Sequence, residues 1–509
     1  MLQDLSGSQT WPRRFAAACL LLFSCMLVLL LAPVRGNDLY NAYFRFLIVA
    51  LSAVWFYRTG IPRCADQRLL LAYLIWLLIS RWLNRDFYLF IDYNILFNPL
   101  FCFLLLASVQ AMDAPHRERL LAWFTVIYCG FFLPFLCAGL FVSITNTYIY
   151  IPPENIWITV LPGSVHGLNL LSTSRLLTAT RLYLAWGLLG YWFFRAKRRP
   201  LRLLIALIML IFHIGMALCF SRTIQITFAV TCGMLLLQFG YRRLQTQLAA
   251  VRLGSAAALL ILGFVIGFGS FNVCTSAVGR IYEHTAPVFA SRYSQWENPP
   301  DPSIFGIALS DEEEISLLNE MAEKAAEEEG RAPDPPVAAS AANADTDRFD
   351  DPRSLKGNFT LTGRTAIWMS VFPCIREQPG IFFYGQSSKN MMELPNKYIP
   401  SKQYKPTMHN MLLQTLMLTG FPGFALHLAW TILMIVQIIR LYFDRGRKIP
   451  FPVVFLTVIL SGAILFNLSE SLLLSTTDIS SCLVFLLAGL AAAEYRERFG
   501  KNAAADADK

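Results

Sequence analysis

Five arginines, a histidine and an asparagine in this 509-residue chain are of types that could share one piece of chemistry. Arg181, Arg222 (in CFSRTIQ), Arg280, Arg292 and Arg364 (in LTGRTAIW) lie at the ends of apolar runs or in the long loop between two of them. His409-Asn410 stand directly before the run MLLQTLML. A guanidinium never loses its charge near neutral pH, and its planar fork grips phosphate oxygens at two points. Histidine gains or loses a proton near neutral pH, so beside a held anion it could orient or deprotonate an attacking hydroxyl. Asn410 or Thr407 could cap the following helix unaided, which leaves His409 without a structural duty. Arg181 and Arg292 have a second reading, in which they snorkel to lipid head groups. Arg222 lies in the short turn SRT, together with Ser221, and has little room to leave a bundle. His213 and His427 lie alone within apolar runs and read as packing residues.

The elements that must position these residues are membrane helices. The chain is 55% hydrophobic and 15% charged, with a mean hydropathy of +0.48, where soluble proteins carry about 25% charged residues. A span needs about 20 helical residues. Twelve spans account for the apolar runs: 15–32, 42–57, 69–84, 88–110, 120–142, 178–194, 201–220, 223–239, 253–271, 411–440, 450–467 and 478–494. The expected fold is therefore an all-α integral membrane protein. The first run follows Arg13-Arg14 and is read as a span, because it is longer than a signal-peptide core and no clear cleavage site follows. Arg58/Arg63/Arg68, Arg117/Arg119, the cluster RAKRRPLR (195–202), Arg242/Arg243/Arg252, RLYFDRGRK (440–448) and the tail EYRERFGK fall on alternate loops. Basic residues stay on the cytoplasmic side, so both termini, including the tail 495–509, are expected inside.

Two long loops then lie outside. One is 143–177, within the first nine spans (1–271). The other, 272–410, precedes the last three spans (411–494). The five arginines gather on the outer face, where basic residues beside spans are less expected. Within the second loop, residues 311–351 hold 14 acidic and 3 basic residues, which leaves a net charge of +20 on the rest of the chain. Residues 311–329 could form a surface helix, and the Ala/Pro/Asp stretch after them has the composition of a disordered insertion. Either the segment is a solvated insertion or it is a flap drawn by charge over a basic cavity. Eleven scattered cysteines without a CxxC point to neither a zinc site nor a disulfide framework. Cys274 and Cys374, both in the second loop, could pair.

Two segments, GRTAIWMSVFPCIREQPGIFFYGQ (363–386) and HNMLLQTLMLTGFPG (409–423), resemble the signature region of the O-antigen ligase and polymerase superfamily. That pattern has an Arg followed by Trp, a Pro-Gly turn, then His-Asn-x-x-Leu before a Gly-x-x-Gly helix. SRT (221–223) resembles the Ser-Arg element of the same family, and twelve spans with a large outer loop before the tenth also fit. Two departures touch the acceptor side: the family's further Gly-x-Gly is replaced by bulky residues between Gly380 and Gly385, and the acidic insertion lengthens the loop. The resemblance implies an inverting, metal-independent glycosyltransferase of the GT-C type, integral to the bacterial cytoplasmic membrane and needing no cofactor. Its donor would be a glycan on a polyprenyl diphosphate, and its acceptor a hydroxyl of a lipid or glycan. Arg222 and Arg364, with Arg280 and Arg181, would hold the diphosphate and stabilise it as it leaves. His409 would act on the acceptor hydroxyl, supported by Asn410, Arg292 and Ser221. Whether such an enzyme caps a lipid or joins repeat units stays open, as does its oligomeric state; no nucleic-acid partner is expected.

Two other readings compete. A metal-dependent glycosyltransferase would need outer carboxylates, but Asp38 is the only acid in the first outer loop. Asp345-Thr346-Asp347 and Asp506-Ala507-Asp508 fall in the insertion and the cytoplasmic tail. A lipid-glycan flippase or other transporter would need polar groups along a path through the bilayer. Here Glu470 and Asp478 lie at span ends, and no internal repeat is visible.

Overall fold

The computed structural model describes residues 10–28, 30, 38–62, 64–84, 93–145, 147–151, 156–159, 168, 170, 175–244, 249–293, 305–307, 367–387, 393–398, 408, 410–443, 450–467 and 479–500. Arg364, His409, Glu470, Asp478, the insertion 311–351 and both Asp-x-Asp sequences lie outside the described residues.

Among the described residues, twelve helices of 17 residues or more stand where the apolar runs predict them: α1 Thr10–Val28, α2 Asp38–Thr59, α3 Ala65–Leu83, α4 Tyr93–Gln110, α5 Ala114–Thr145, α6 Arg175–Arg195, α7 Arg199–Leu218, α8 Arg222–Leu244 and α9 Ala249–Tyr293, then α13 Met411–Phe443, α14 Phe451–Asn467 and α15 Ile479–Tyr495. Between α9 and α13 come three short helices, α10 Val371–Glu377, α11 Gly380–Tyr384 and α12 Glu393–Tyr398. Six of the described helices are long and apolar enough to cross a membrane by length and composition: α1, α5, α7, α9, α13 and α15 with the turn that follows it. The α9 helix runs to Tyr293, well past residue 271. Arg280 and Arg292 are therefore helical positions, and the second long loop starts later than expected.

Burial sorts the helices. In the apolar window of the α15 segment 78% of residues are buried, against 17% in that of α9, so α15 lies inside the bundle and α9 at its edge. The buried Asn98 of α4 faces α15, and the Cys482 thiol donates to its Oδ1 at 3.5 Å. Gly263 and Gly267 of α9 come so near Cys232, Gly233 and Ala229 of α8 that a Cβ at either would fall within 3 Å of that backbone. Small residues let membrane helices approach this closely.

Among the described residues the fold is helical except for a small sheet with strand order β2-β1-β3, made of β1 Thr147–Ile151, β2 Ile156–Thr159 and β3 Phe305–Ile307. Both pairings are antiparallel, with Tyr148 opposite Thr159 and Ile149 opposite Phe305. Strands β1 and β2 come from the 143–177 loop and β3 from the 272–410 loop, so the two long loops meet on one side.

The basic segments meet at the opposite end. Arg117 pairs with Glu497 at 2.5 Å, and Arg195 grips both oxygens of Glu118 at 2.7 and 2.9 Å. Arg496 donates to Gln110 at 2.9 Å and approaches the buried Asp66 at 3.4 Å, while Arg440 donates to the Tyr495 hydroxyl at 2.6 Å. These contacts join the start of α3 and α5, the ends of α6 and α13, and a π-helical turn at Arg496–Gly500.

Candidate functional site

The structure builds two corners at the end where the long loops meet. The first lies around the α7–α8 turn. Helix α7 stops at Leu218, and Phe220 takes a left-handed φ of 46°, at a cost of about 1–2 kcal/mol for a residue with a Cβ. Ser221 then opens α8: its hydroxyl accepts the Ile224 N–H at 3.5 Å, and its carbonyl accepts the Gln225 N–H at 3.0 Å. Arg222 is thus the first residue of α8 and half-buried, beside a helix N-terminus where the free N–H groups favour an anion.

Arg181 belongs to the same corner. It is buried in the second turn of α6, with Nη1 donating to the Leu170 carbonyl at 3.3 Å and its guanidinium 5.7 Å from the Phe132 ring. Leu170 in turn donates its N–H to Thr178, and Leu168 donates to the Leu218 carbonyl at 2.8 Å. Leu168 and Leu170 therefore stitch Arg181 to the turn that presents Arg222. The lipid-snorkelling alternative does not suit Arg181, whose guanidinium is held inward. Arg280 is exposed on α9 and has no hydrogen bond or ion pair among the described residues, so nothing draws it into this corner. Arg292 falls in the last turn of α9, and its side chain lies outside the described residues.

The second corner forms where Trp368, just before α10, meets Met408, just before α13. Asn410 is the cap: its Oδ1 accepts the Leu413 N–H at 3.0 Å. Gln414 reaches back, its Oε1 accepting the Met408 N–H at 3.1 Å. The Trp368 indole donates to the Met408 carbonyl at 3.1 Å. Met408 is fully buried and held at both its N–H and its C=O. His409 lies outside the described residues, but both its chain neighbours are fixed, and neither needs it as a cap. The Trp368 bond also joins the segment that follows Arg364 to the residue that precedes His409.

Beneath this corner α13 is broken. Gly420 has φ 69° and ψ −175°, and Pro422 has no N–H to offer the Leu418 carbonyl. Three consecutive carbonyls are taken instead by side chains and backbone from elsewhere. Gln386 N–H reaches Met417 O at 2.8 Å, and Trp76 Nε1 reaches Thr419 O at 2.7 Å. The Ser80 hydroxyl donates to Tyr384 O at 2.6 Å and shares its single hydrogen with Leu418 O at 3.1 Å. Gly385 is left-handed as well, with φ 75°. A Cβ on it would lie 2.3 Å from the Leu418 carbonyl, and one on Gly420 would lie 2.6 Å from the Phe383 carbonyl carbon. Each glycine thus admits the other segment's backbone.

Sequence reasoning passed over several of these residues. Trp76, Ser80 and the fully buried Arg81 sit inside the apolar run of α3, and Gln414 within that of α13. The four-residue spacing of Trp76, Ser80 and Asn84 was the available signal, since it lines one helix face. His427, read as packing, is buried among Tyr73, Thr415 and Trp430, with its Nδ1 3.0 Å from the Thr415 hydroxyl.

Outside the spans, Tyr398 and Lys397 of α12 both bond to Glu377 of α10 and hold its carboxyl below the usual glutamate range. Burial pushes the Cys374 thiol up to about 12, which suits a packing residue more than a nucleophile. Cys374 and Cys274 are both free thiols.

No curated protein and no solved structure matched the chain. The stretch that does match a known family starts within α7 and ends within α13; it takes in Ser221, Arg222, Arg364, His409 and Asn410 and leaves out Arg181 and α3. Residues 204–428 match the family model described as O-antigen ligase.

Proposed function

We propose that this chain is a membrane glycosyltransferase of the O-antigen ligase type, moving a glycan from a polyprenyl diphosphate to an acceptor hydroxyl at the outer face of the cytoplasmic membrane. The observation that supports the reading is the Trp368–Met408 bond within the matched stretch, because it ties a residue four places after Arg364 to the residue before His409. All twelve long helices are spans in this reading, and the end with the two corners faces outward. The opposite end carries the clustered basic residues that the cytoplasmic side retains.

The division of labour follows from charge. Arg222, at the α8 N-terminus, and Arg364 hold the diphosphate, and Arg181 adds a buried positive charge linked through Leu170. As the bond to the anomeric carbon breaks, negative charge grows on the leaving diphosphate, and fixed cations in a dry site stabilise it most at that point. His409 orients or deprotonates the acceptor hydroxyl, which attacks the face opposite the leaving group and inverts the anomeric centre. Asp66, Glu118 and Glu497 are paired at the other end, and Glu377 is engaged by Lys397 and Tyr398; this reading assigns the chemistry to arginine and histidine without a metal.

The test uses purified full-length protein with polyprenyl diphosphate glycan and acceptor. Arg222→Lys and Arg364→Lys keep the charge but lose the two-point grip, so each should sharply weaken donor retention. His409→Ala should retain donor and slow transfer by about 10²–10⁴-fold. EDTA should leave the wild type active. If EDTA abolishes turnover while His409→Ala is fully active, the mechanism is wrong. Transport of intact donor without glycosidic product would make the chain a carrier instead. Product on a lipid acceptor identifies a ligase, and lengthened donor-linked glycan a repeat-unit polymerase.

A further inference from the structure

We infer that Trp76, Ser80 and Asn84 of the α3 stripe are positioning residues for transfer, acting through the glycine clasp between residues 383–386 and 417–420. This rests on the proposed function and extends it to a helix outside the stretch that matches the family.

The three side chains follow one another at intervals of four along α3 and its C-cap, so they line one face. All three point into the clasp. Trp76 donates to Thr419 O at 2.7 Å, Ser80 to Tyr384 O at 2.6 Å, and Asn84 Nδ2 to Tyr384 O at 3.0 Å. Ser80 is fully buried and bridges the two halves of the clasp, because its hydroxyl also faces Leu418 O. These are not ordinary interhelical contacts. The Leu418 and Thr419 carbonyls are open because Gly420 and Pro422 break α13, and the Tyr384 carbonyl stands at the end of α11, where no further helical turn follows.

A break without such partners would be a hinge. Nine residues, Met411–Thr419, lie before it, which is about 13 Å of helix, and Asn410 stands at their far end. A small rotation at Gly420 is therefore magnified at the capped end that follows His409. Misplacing a reacting group by about 1 Å can cost about 10²-fold in rate. The α3 stripe fixes the angle of this outer segment, while Arg222, the donor-holding arginine of the other corner, stands on α8.

This separation makes the inference testable. In the purified full chain, Ser80→Ala removes one buried hydroxyl with little change in volume. It should lower kcat by about 10- to 100-fold with donor KM unchanged, and Ser80→Thr, which restores the hydroxyl, should recover most of the loss. Trp76→Phe should act in the same direction. Unchanged kcat in Ser80→Ala overturns the inference. A loss that appears in folded yield and donor KM alike also overturns it, because the role would then be in folding alone. A second readout does not depend on turnover: Ser80→Ala should speed amide exchange in 384–387 and 411–419 together, and faster exchange confined to 384–387 counts against the inference. If the wild type itself performs no transfer, the proposed function fails, and the clasp is then judged by the exchange result alone.

Discussion

Replacing Gly420 by alanine tests the clasp at its tightest point. The backbone there has φ 69° and ψ −175°, a region that is essentially glycine-only and costs about 1–3 kcal/mol for other residues. The added methyl would lie 2.6 Å from Phe383 C and Tyr384 N and 2.7 Å from Phe383 O. These are main-chain atoms, so no side-chain rotation relieves the collision and the two segments must part. Parting them weakens the bonds at Met417, Leu418 and Thr419, worth about 1 kcal/mol each. Gly420→Ala should therefore cost about 4 kcal/mol or more, taking dihedral strain and lost bonds together. Gly254 and Gly269, on α9, are the controls: both have ordinary φ, and a Cβ on either meets nothing within 4 Å. Alanine there should be neutral or stabilise by up to about 1 kcal/mol, as it does in helix interiors. Thermal unfolding of the three variants in one detergent, followed by size-exclusion fluorescence, measures the contrast. If Gly420→Ala melts with the Gly254→Ala and Gly269→Ala proteins, the clasp does not carry the tension assigned to it.

Three other predictions address the wider reading. Labelling of single cysteines should place 195–202 and 441–448 inside and 143–177 and 272–410 outside; a cytoplasmic 363–410 would put the candidate site on the wrong leaflet. Deletion of 311–351 should leave folding and most activity intact, because the segment is too polar to share a core; a stable but inactive protein would favour the charged flap. Glu377 has a folded pKa below its ordinary value of 4.5 because Tyr398 and Lys397 bond to it. Its contribution to docking α12 on α10 should hence be complete above about pH 4.5 and lost as pH falls through the lower folded value. Protease cutting near 393–398 should rise in that acidic window for the wild type and be raised at all pH values for Glu377→Gln; equal profiles would refute the coupling.

Hydropathy alone placed the helices, because an apolar run of span length has one low-energy form in a bilayer, with its backbone bonds satisfied inside the run. The alternation of basic loops likewise anticipated the end where Arg117, Arg195, Arg440 and Arg496 meet. Asn410 was legible as a cap, since capping is local and decided within three residues. The break in α13 was not read, since 411–440 was taken as one span, although Gly420 and Pro422 of GFPG carry its local cause in glycine freedom and a missing N–H.

Only the tertiary structure decided what fills that break. Ser80 and Trp76 reach it from 338 and 343 residues away in the chain, and in the linear text they are small and aromatic members of an apolar run. Pairing of β3 with β1 across the two long loops was equally hidden, since the strands are short and each depends on a partner supplied by distant chain. Arg181 shows the same limit: its charge and position could be read, but whether it faced lipid or the turn carrying Arg222 depended on Leu168 and Leu170. Local bonding and hydropathy act over a few residues and are written in their order. The choice of partner for a freed carbonyl or a buried guanidinium depends on which distant helix packs beside it, and close packing of the whole bundle settles that.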